Sequence, residues 1–298
     1  MKKILVYLCM LISFTGFSKL RVGITMLPYY CFVSNIVGDK MDVVPLVPAN
    51  VNAHTYDATA QDIKRLNTVN VVVANGVGHD MFLNKMLRAT KKNIPVINAN
   101  KRTTLMHIAG QRRSGIVNPH TFISVTQSIQ QVNYIASELA RIDSKNAGYY
   151  RQNASRYIAK LRSIKTEALR KVKGKSRNIR IATTHGGYDY LLNEFGLSVT
   201  TVVEPSYVQS PSLTDAKIAI NKMKSNKVKI LFDEQVSNHK LANTIQRETG
   251  VHIAVLNHMT NGAYKKDAFE KTLRENMNAV CNAIQKVAKW KKQTQWGF

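Results

Sequence analysis

The stretch Ser144–Lys173 reads SKNAGYYRQNASRYIAKLRSIKTEALRKVK. Its apolar side chains fall at Ala147, Tyr150, Ala154, Tyr157, Ile158, Leu161, Ile164, Ala168, Leu169 and Val172. Steps of three and four are the spacing of one buried face on an α-helix. Lys, Arg and Gln fill the other face, Ser144 is placed to cap the start, and Gly174 to end it. Such a helix spans roughly 45 Å at about 1.5 Å per residue, longer than an ordinary globular helix. The segments on both sides alternate strands with helices. The pattern therefore predicts an α/β protein of two lobes, each with a mainly parallel sheet flanked by helices, joined by one long spine helix. The boundaries are residues 19–143 for the N-terminal lobe, 144–173 for the linking helix and 174–298 for the C-terminal lobe.

Working outward, strands are expected at Leu20–Met26, Met41–Val47, Val69–Ala74 and Pro95–Asn98 before the spine. Beyond it they fall at Ile179–Thr183, Ser198–Val203, Val228–Phe232 and His252–Leu256. Pro45 marks its strand as an edge or a bulge. The near-continuous apolar run Val69–Ala74 suits a strand covered on both faces. Residues 101–117 have no clear period and read as loop.

The chain has 298 residues, of which 44% are hydrophobic, so it is neither disordered nor a polytopic membrane protein. Its start, MKKILVYLCMLISFTGFSKL, has a basic Lys2-Lys3 pair, an apolar core from Ile4 to Phe14, and small residues Gly16 and Ser18 before a cut. That is the pattern of a secretory signal peptide over residues 1–18, which implies a mature protein outside the cytoplasm; a periplasmic location is expected. Cys31 and Cys281, at opposite ends of the mature chain, read as buried thiols rather than a disulfide framework. The net charge of +25 raises nucleic-acid binding. However, the basic residues are spread along helix faces, with no arm, zinc-finger spacing or aromatic-basic signature, and the export signal points elsewhere. An anionic membrane surface is the alternative contact for this charge. A monomer is expected.

No phosphate loop, complete dinucleotide fingerprint, GxSxG, HExxH or CxxC occurs. Histidine is the chemistry that remains. His54, His120 and His185 each sit in a loop or turn next to a predicted element end. Open α/β sheets bind ligands beyond the carboxyl ends of their strands. His54 and His185 follow strands, and Asp267 opens the last helix after the strand ending at Leu256. Loops from two facing sheets could assemble imidazoles and one carboxylate, a donor set suited to Zn²⁺, Mn²⁺ or Fe²⁺. Taken singly, each histidine also fits a surface role, and Asp267 fits an acid favoured by a helix dipole. His79, after Gly76-Val77-Gly78, reads as a surface histidine near the same crevice. A secreted zinc hydrolase, with Asp80, Glu204 or Asp233 as base, and a surface adhesin are the competing functions.

Four segments carry a resemblance to a known family: VPANVNAHTYDATAQDIKRL, IVNPHTFISV, IATTHGGYDYLLNEFGL and DAFEKTLRENMNAV. In order, they resemble the metal-bearing segments of the zinc/manganese/iron solute-binding proteins of ABC importers, the cluster A-I group. VNVVVANGVGHDMFLNKML and VKILFDEQVSNHKLANTIQRETGVHIAVL resemble its other segments, so the likeness covers the mature chain. It implies a non-enzymatic receptor that carries a divalent transition metal (Zn²⁺, Mn²⁺ or Fe²⁺) between two lobes and hands it to an ABC permease. It also implies His54, His120, His185 and Asp267 as ligands, two before the spine and two after. The chain departs from the family at Ala53, where Pro is common, and at Thr121-Phe122-Ile123-Ser124, where W-L-D-P is common. It also lacks the His-rich loop of many zinc-specific members.

Overall fold

The computed structural model describes residues 19–109, 116–204 and 213–295. The expected signal peptide lies outside the described residues. Two four-stranded sheets are present, and every pairing in both is parallel. The first contains β1 (Leu20–Ile24), β2 (Met41–Pro45), β3 (Val71–Ala74) and β4 (Val96–Asn98), in the order β2-β1-β3-β4. The second contains β5 (Ile181–Thr183), β6 (Val199–Val202), β7 (Ile230–Glu234) and β8 (His252–Leu256), in the order β6-β5-β7-β8. The two lobes thus repeat one topology. Pro45 ends an edge strand, where its missing N–H costs no ladder bond. Val71–Ala74 is wholly buried and lies inside its sheet, as its unbroken apolar run requires.

The helices of the first lobe are α1 (Leu27–Val37), α2 (Ala60–Leu66) and α3 (Phe82–Ala89). A capping box between Thr59 and Asp62 opens α2, satisfying donors that the first turn leaves unpaired. Then α4 (Val125–Ile142) packs along α5 (Ala147–Lys171), the expected spine. The spine starts later than its sequence pattern. Ser144–Asn146 forms a 3-10 turn, and Ser144 does not cap the α-helix. Asp143 accepts hydrogen bonds from Asn146 Nδ2 at 2.7 Å and Tyr150 Oη at 2.5 Å. These bonds tie the tight turn between the two helices. The second lobe adds α6 (Asp189–Asn193), α7 (Leu213–Ser225), α8 (Lys240–Thr249) and the terminal α9 (Ala268–Gln295).

The face of α5 read from the sequence is the buried one: Tyr150, Ala154, Tyr157, Ile158, Leu161, Ile164 and Ala168. It packs against α1, α4 and α9. One continuous core holds Phe32 of α1, Leu161 of the spine, Leu191 of α6 and Leu273 of α9. Phe32 and Phe269 meet edge to face across the lobes, 4.7 Å between ring centroids. The nearly buried Glu270 carboxylate pairs with Lys160 at 2.6 Å and accepts from Tyr157 Oη at 3.2 Å. Each fully buried side chain of this size is worth about 1.5–3 kcal/mol, so opening this seam widely is costly. Metal-free and metal-loaded protein are therefore expected to differ by a small lobe tilt and loop shifts. Solution scattering of the two forms checks this, and a large change in radius of gyration would contradict it.

Cys31 and Cys281 are free and buried. Burial pushes the Cys31 thiol up to about 12, so it is inert as a nucleophile at neutral pH. Among the described residues, no helix is long and apolar enough to cross a membrane.

Candidate metal centre

The segments that follow β2, β3, β5, β6, β7 and β8 at their carboxyl ends converge on one cleft between the lobes. The cleft has a volume of about 550 Å³ and is lined by His54, His79, His185 and His258, by Glu204 and Glu234, and by the Asn50–Ala53 loop. Buried His120 lies directly behind them: its Nε2 is 3.1 Å from His54 Nε2 and 3.4 Å from His185 Nε2. Among the described residues, two sets of imidazoles have ligating atoms within 4.8 Å of one another: His54, His120 and His185, and His79, His120 and His258. His120 is common to both. With bonds of about 2.0–2.1 Å, adjacent nitrogens on one ion stand about 2.9 Å apart in octahedral and about 3.3 Å apart in tetrahedral geometry. The two measured separations are close to this range, so the rings fit a shared cation.

The state of His120 follows from its neighbours. Asn118 Nδ2 donates to Gly186 O and to Asp189 Oδ2, both at 2.9 Å. Asn118 Oδ1 accepts the His120 backbone N–H at 3.0 Å, which fixes which end of the amide is oxygen. That oxygen lies 2.7 Å from His120 Nδ1, so Nδ1 carries the proton and the Nε2 lone pair faces the cluster. Asn118 therefore supplies the orienting bond that the unusual segment after His120 left open, and it links the two lobes at the site. Replacing Asn118 by Ala is expected to lower metal affinity by about 10–100-fold, read by competition with a chromophoric chelator.

His79 is positioned from below. Asp80 accepts from Thr25 Oγ1 at 2.7 Å and from the backbone N–H groups of Asn75 at 2.6 Å and Gly76 at 3.3 Å. Gly76 has φ +76°, and a Cβ there would stand 2.7 Å from Asn98 Cβ, so glycine is needed for the turn that delivers His79. Neither His79 ring nitrogen nor His258 Nε2 has a hydrogen-bond partner, although all three atoms are buried. Buried polar atoms without partners are costly, and a cation drawn into the cluster would satisfy them. His258 Nδ1 lies 3.2 Å from Thr260 Oγ1, which leaves Nε2 as its ligating atom.

Burial pulls all five imidazoles below their ordinary range, to about 4 for His54 and His185, and the like-charged neighbours add to the effect for His79, His120, His185 and His258. The rings are therefore neutral, the form that binds metal.

The structure corrects two expectations. Asp267 is not brought to the cluster: its side chain is 53% exposed at the start of α9 and pairs with Lys271 at 2.7 Å, the ordinary role of an acid at a helix N-terminus. The expected outcome for Asp267→Asn is unchanged metal affinity, measured by isothermal titration. His79 is not a surface residue: it is 1% exposed and stacks 4.3 Å from His54 between ring centroids. His258 was missed, though the signal was present. It stands two residues beyond the end of β8, as His185 does beyond β5. The other histidines lie outside the cluster. Among them, His239 pairs with Asp233 at 2.6 Å, and His107 Nδ1 lies 3.1 Å from Ile116 O.

Gly187 is packed directly against two of the rings. An added Cβ would fall 2.8 Å from His185 Cδ2 and 3.3 Å from His258 Nε2. Overpacking of this kind costs about 1–3 kcal/mol. Gly187→Ala is therefore expected to weaken metal binding by roughly tenfold or more with little change in helical content by circular dichroism.

A family model described as "Zinc-uptake complex component A periplasmic" matches residues 22–283. The chain belongs to this family. Its members are metal-binding solute-binding proteins of ABC importers. The zinc uptake protein ZnuA of Bacillus subtilis is 26% identical over 282 residues, covering 89% of this chain and 88% of that one. The solute-binding protein FpvC of Pseudomonas aeruginosa, solved with Mn²⁺, is 45% identical with a TM-score of 0.86. That match covers 91% of this chain and 100% of FpvC. A second FpvC structure, with Ni²⁺, has a TM-score of 0.85 at 45% identity and covers 91% and 98%. The family's two lobes with a long helix between them are the architecture described above.

Proposed function

We propose that this protein is the extracytoplasmic receptor of a metal ABC importer. In this reading it holds one divalent transition-metal ion between its lobes on His54, His79, His120, His185 and His258 and delivers it to the permease. The observation that carries the reading is the convergence of five neutral imidazoles, three of their buried nitrogens unpartnered, at one cleft. The ion is cargo, and the work of the site is selection and reversible capture. The relatives support the class of cargo, since FpvC was solved with Mn²⁺ and with Ni²⁺ and the Bacillus protein is named for zinc.

The donor set bears on which metal is preferred. Five imidazole nitrogens without a carboxylate favour borderline late first-row ions over hard Mg²⁺ or Ca²⁺, with affinity rising from Mn²⁺ toward Ni²⁺. More than four nitrogens also suit ions that accept five or six ligands, which weakens the case for a strictly tetrahedral zinc site. The periplasmic location and monomeric state belong to the same proposal. The deciding experiment is competitive titration of the tag-free mature protein with Zn²⁺, Mn²⁺, Fe²⁺, Co²⁺ and Ni²⁺. Stoichiometric binding of one ion supports the receptor, and no binding of any of them would sink it.

A further inference from the structure

Two carboxylates in the cleft remain outside the imidazole cluster. Thr183 of β5 pairs with Val202 of β6 on one side and with Phe232 of β7 on the other. β5 and β6 end two residues before His185 and Glu204, and Glu234 is the last residue of β7. Beyond the ladder, the Glu204 N–H donates to Thr184 O at 2.9 Å, which ties Glu204 to the segment that carries His185. The two glutamates thus come from the strands on either side of β5, the strand that leads to His185. Both line the cleft. Asp233, between them in sequence, is 2% exposed and otherwise engaged, accepting from Thr184 Oγ1 at 2.7 Å and Ser237 Oγ at 2.9 Å and pairing with His239. Glu204 and Glu234 form no salt bridge among the described residues.

The charge distribution makes this placement informative. The chain carries 43 Lys and Arg against 18 Asp and Glu, so its long-range field repels cations. Yet no Lys or Arg is among the described residues lining the cleft, and two of the scarce acids are. A second observation points to a ligand at the same place: His79, with both ring nitrogens unpartnered, and His258, with Nε2 unpartnered, line this cleft and are more than nine-tenths buried. Burial and the negative charge of Asp233 raise both carboxyls, and Glu204 adds to the effect on Glu234, which is pushed up to about 7.

We propose that Glu204 and Glu234 form an outer capture station that draws a hydrated divalent cation into the cleft and passes it to the imidazoles behind. The inference rests on the receptor reading above. Carboxylate oxygens bind a hydrated ion readily, and the ion exchanges water for nitrogen only when it reaches the histidines. The station offsets the repulsion of the basic surface, acting on the association rate, and contributes no ligand to the final complex.

Stopped-flow mixing with Co²⁺, followed by its visible absorbance, tests this on the full mature chain. In Glu204→Gln/Glu234→Gln the association rate is expected to fall by roughly tenfold or more at low salt, and the gap to narrow as salt screens the field. The final Co²⁺ spectrum is expected to match that of the unaltered protein, which also reports that the variant is folded. Single Glu→Asp variants at either position are expected to retain most of the rate. An unchanged association rate, a change confined to dissociation, or an altered final spectrum overturns the station. Failure of the unaltered protein to bind Co²⁺ overturns the receptor reading and the station with it.

Discussion

His120→Ala is expected to abolish useful metal binding. Its Nε2 lies within 3.1 Å of His54 Nε2 and 3.4 Å of His185 Nε2, and it is the one ring shared by both imidazole sets. A site that holds zinc with about 10–16 kcal/mol over four ligands assigns about 3 kcal/mol to each, or roughly a hundredfold in affinity. The loss at His120 should exceed this share, because no remaining ring can bridge the two sets. His54→Ala, at the more open end of the cleft, should cost less. His120→Gln is the control for packing, since it fills part of the buried volume without an imidazole. Isothermal titration with Zn²⁺ and Co²⁺ measures all three. Equal affinities for His120→Ala and the unaltered protein would remove His120 from the site.

The second large effect is on acid behaviour. A ligand histidine of ordinary pKa would lose metal to protons below about pH 6.5, which is the expectation from residue types alone. In the fold, His54 and His185 are pulled to about 4 and the three deeper rings also down, chiefly by burial. Proton competition then begins only near pH 4, so affinity is expected to stay nearly level from pH 7.5 to 5. The metal-free protein meets the opposite cost. Between about pH 6.5 and 4 the unfolded chain binds more protons than the native one, so stability rises with pH across that window and falls as the solution is acidified. Below the folded values the slope vanishes, and above 6.5 the stability from these groups is complete. The sum is on the order of a few kcal/mol, or roughly 10 °C in Tm for a chain of this size. Thermal melts of metal-free protein at pH 7 and pH 5 check the sign. A higher Tm at pH 5 would mean that the rings are protonated in the native state.

Much of the fold was legible because its signals are local. The apolar steps from Tyr150 to Ala168 describe a helix face whatever that face packs against, and they recur as the buried seam of the spine. The helix over Leu27–Val37 is marked at both ends in the chain, by Pro28 in its first turn and Gly38 after it. Most expected strands are shorter in the fold, because hydrogen-bonded pairing stops before the apolar pattern does, whereas β7 runs past its expected end at Phe232 to Glu234. The start of the spine was displaced to Ala147 by the Asp143 hydrogen bonds, and no propensity scale contains those.

The candidate site was legible in part. His54, His120 and His185 stand in loops that any α/β reading carries to the cleft. His258 stands just as regularly beyond β8. It was passed over because an acid nine residues later matched the expectation of a carboxylate ligand. Helix geometry turns that acid, Asp267, to solvent beside Lys271. His79 was read as exposed because a glycine-flanked histidine after a strand usually is. The anchoring of Asp80 by Thr25, Asn75 and Gly76 instead draws it inward.

By itself, the sequence determined the alternation of strands and helices, the two lobes, the spine between them and histidine as the chemistry at hand. Each of these depends on periodicity or residue type along a contiguous stretch. Only the tertiary structure decided which donors meet, how many they are and what charge they carry. Those depend on the register of β5 with β6 and β7, on the Asn118 bond that orients His120 across the lobes, and on burial deep enough to keep five imidazoles neutral. All three arise between residues far apart in the chain, where no local pattern records them.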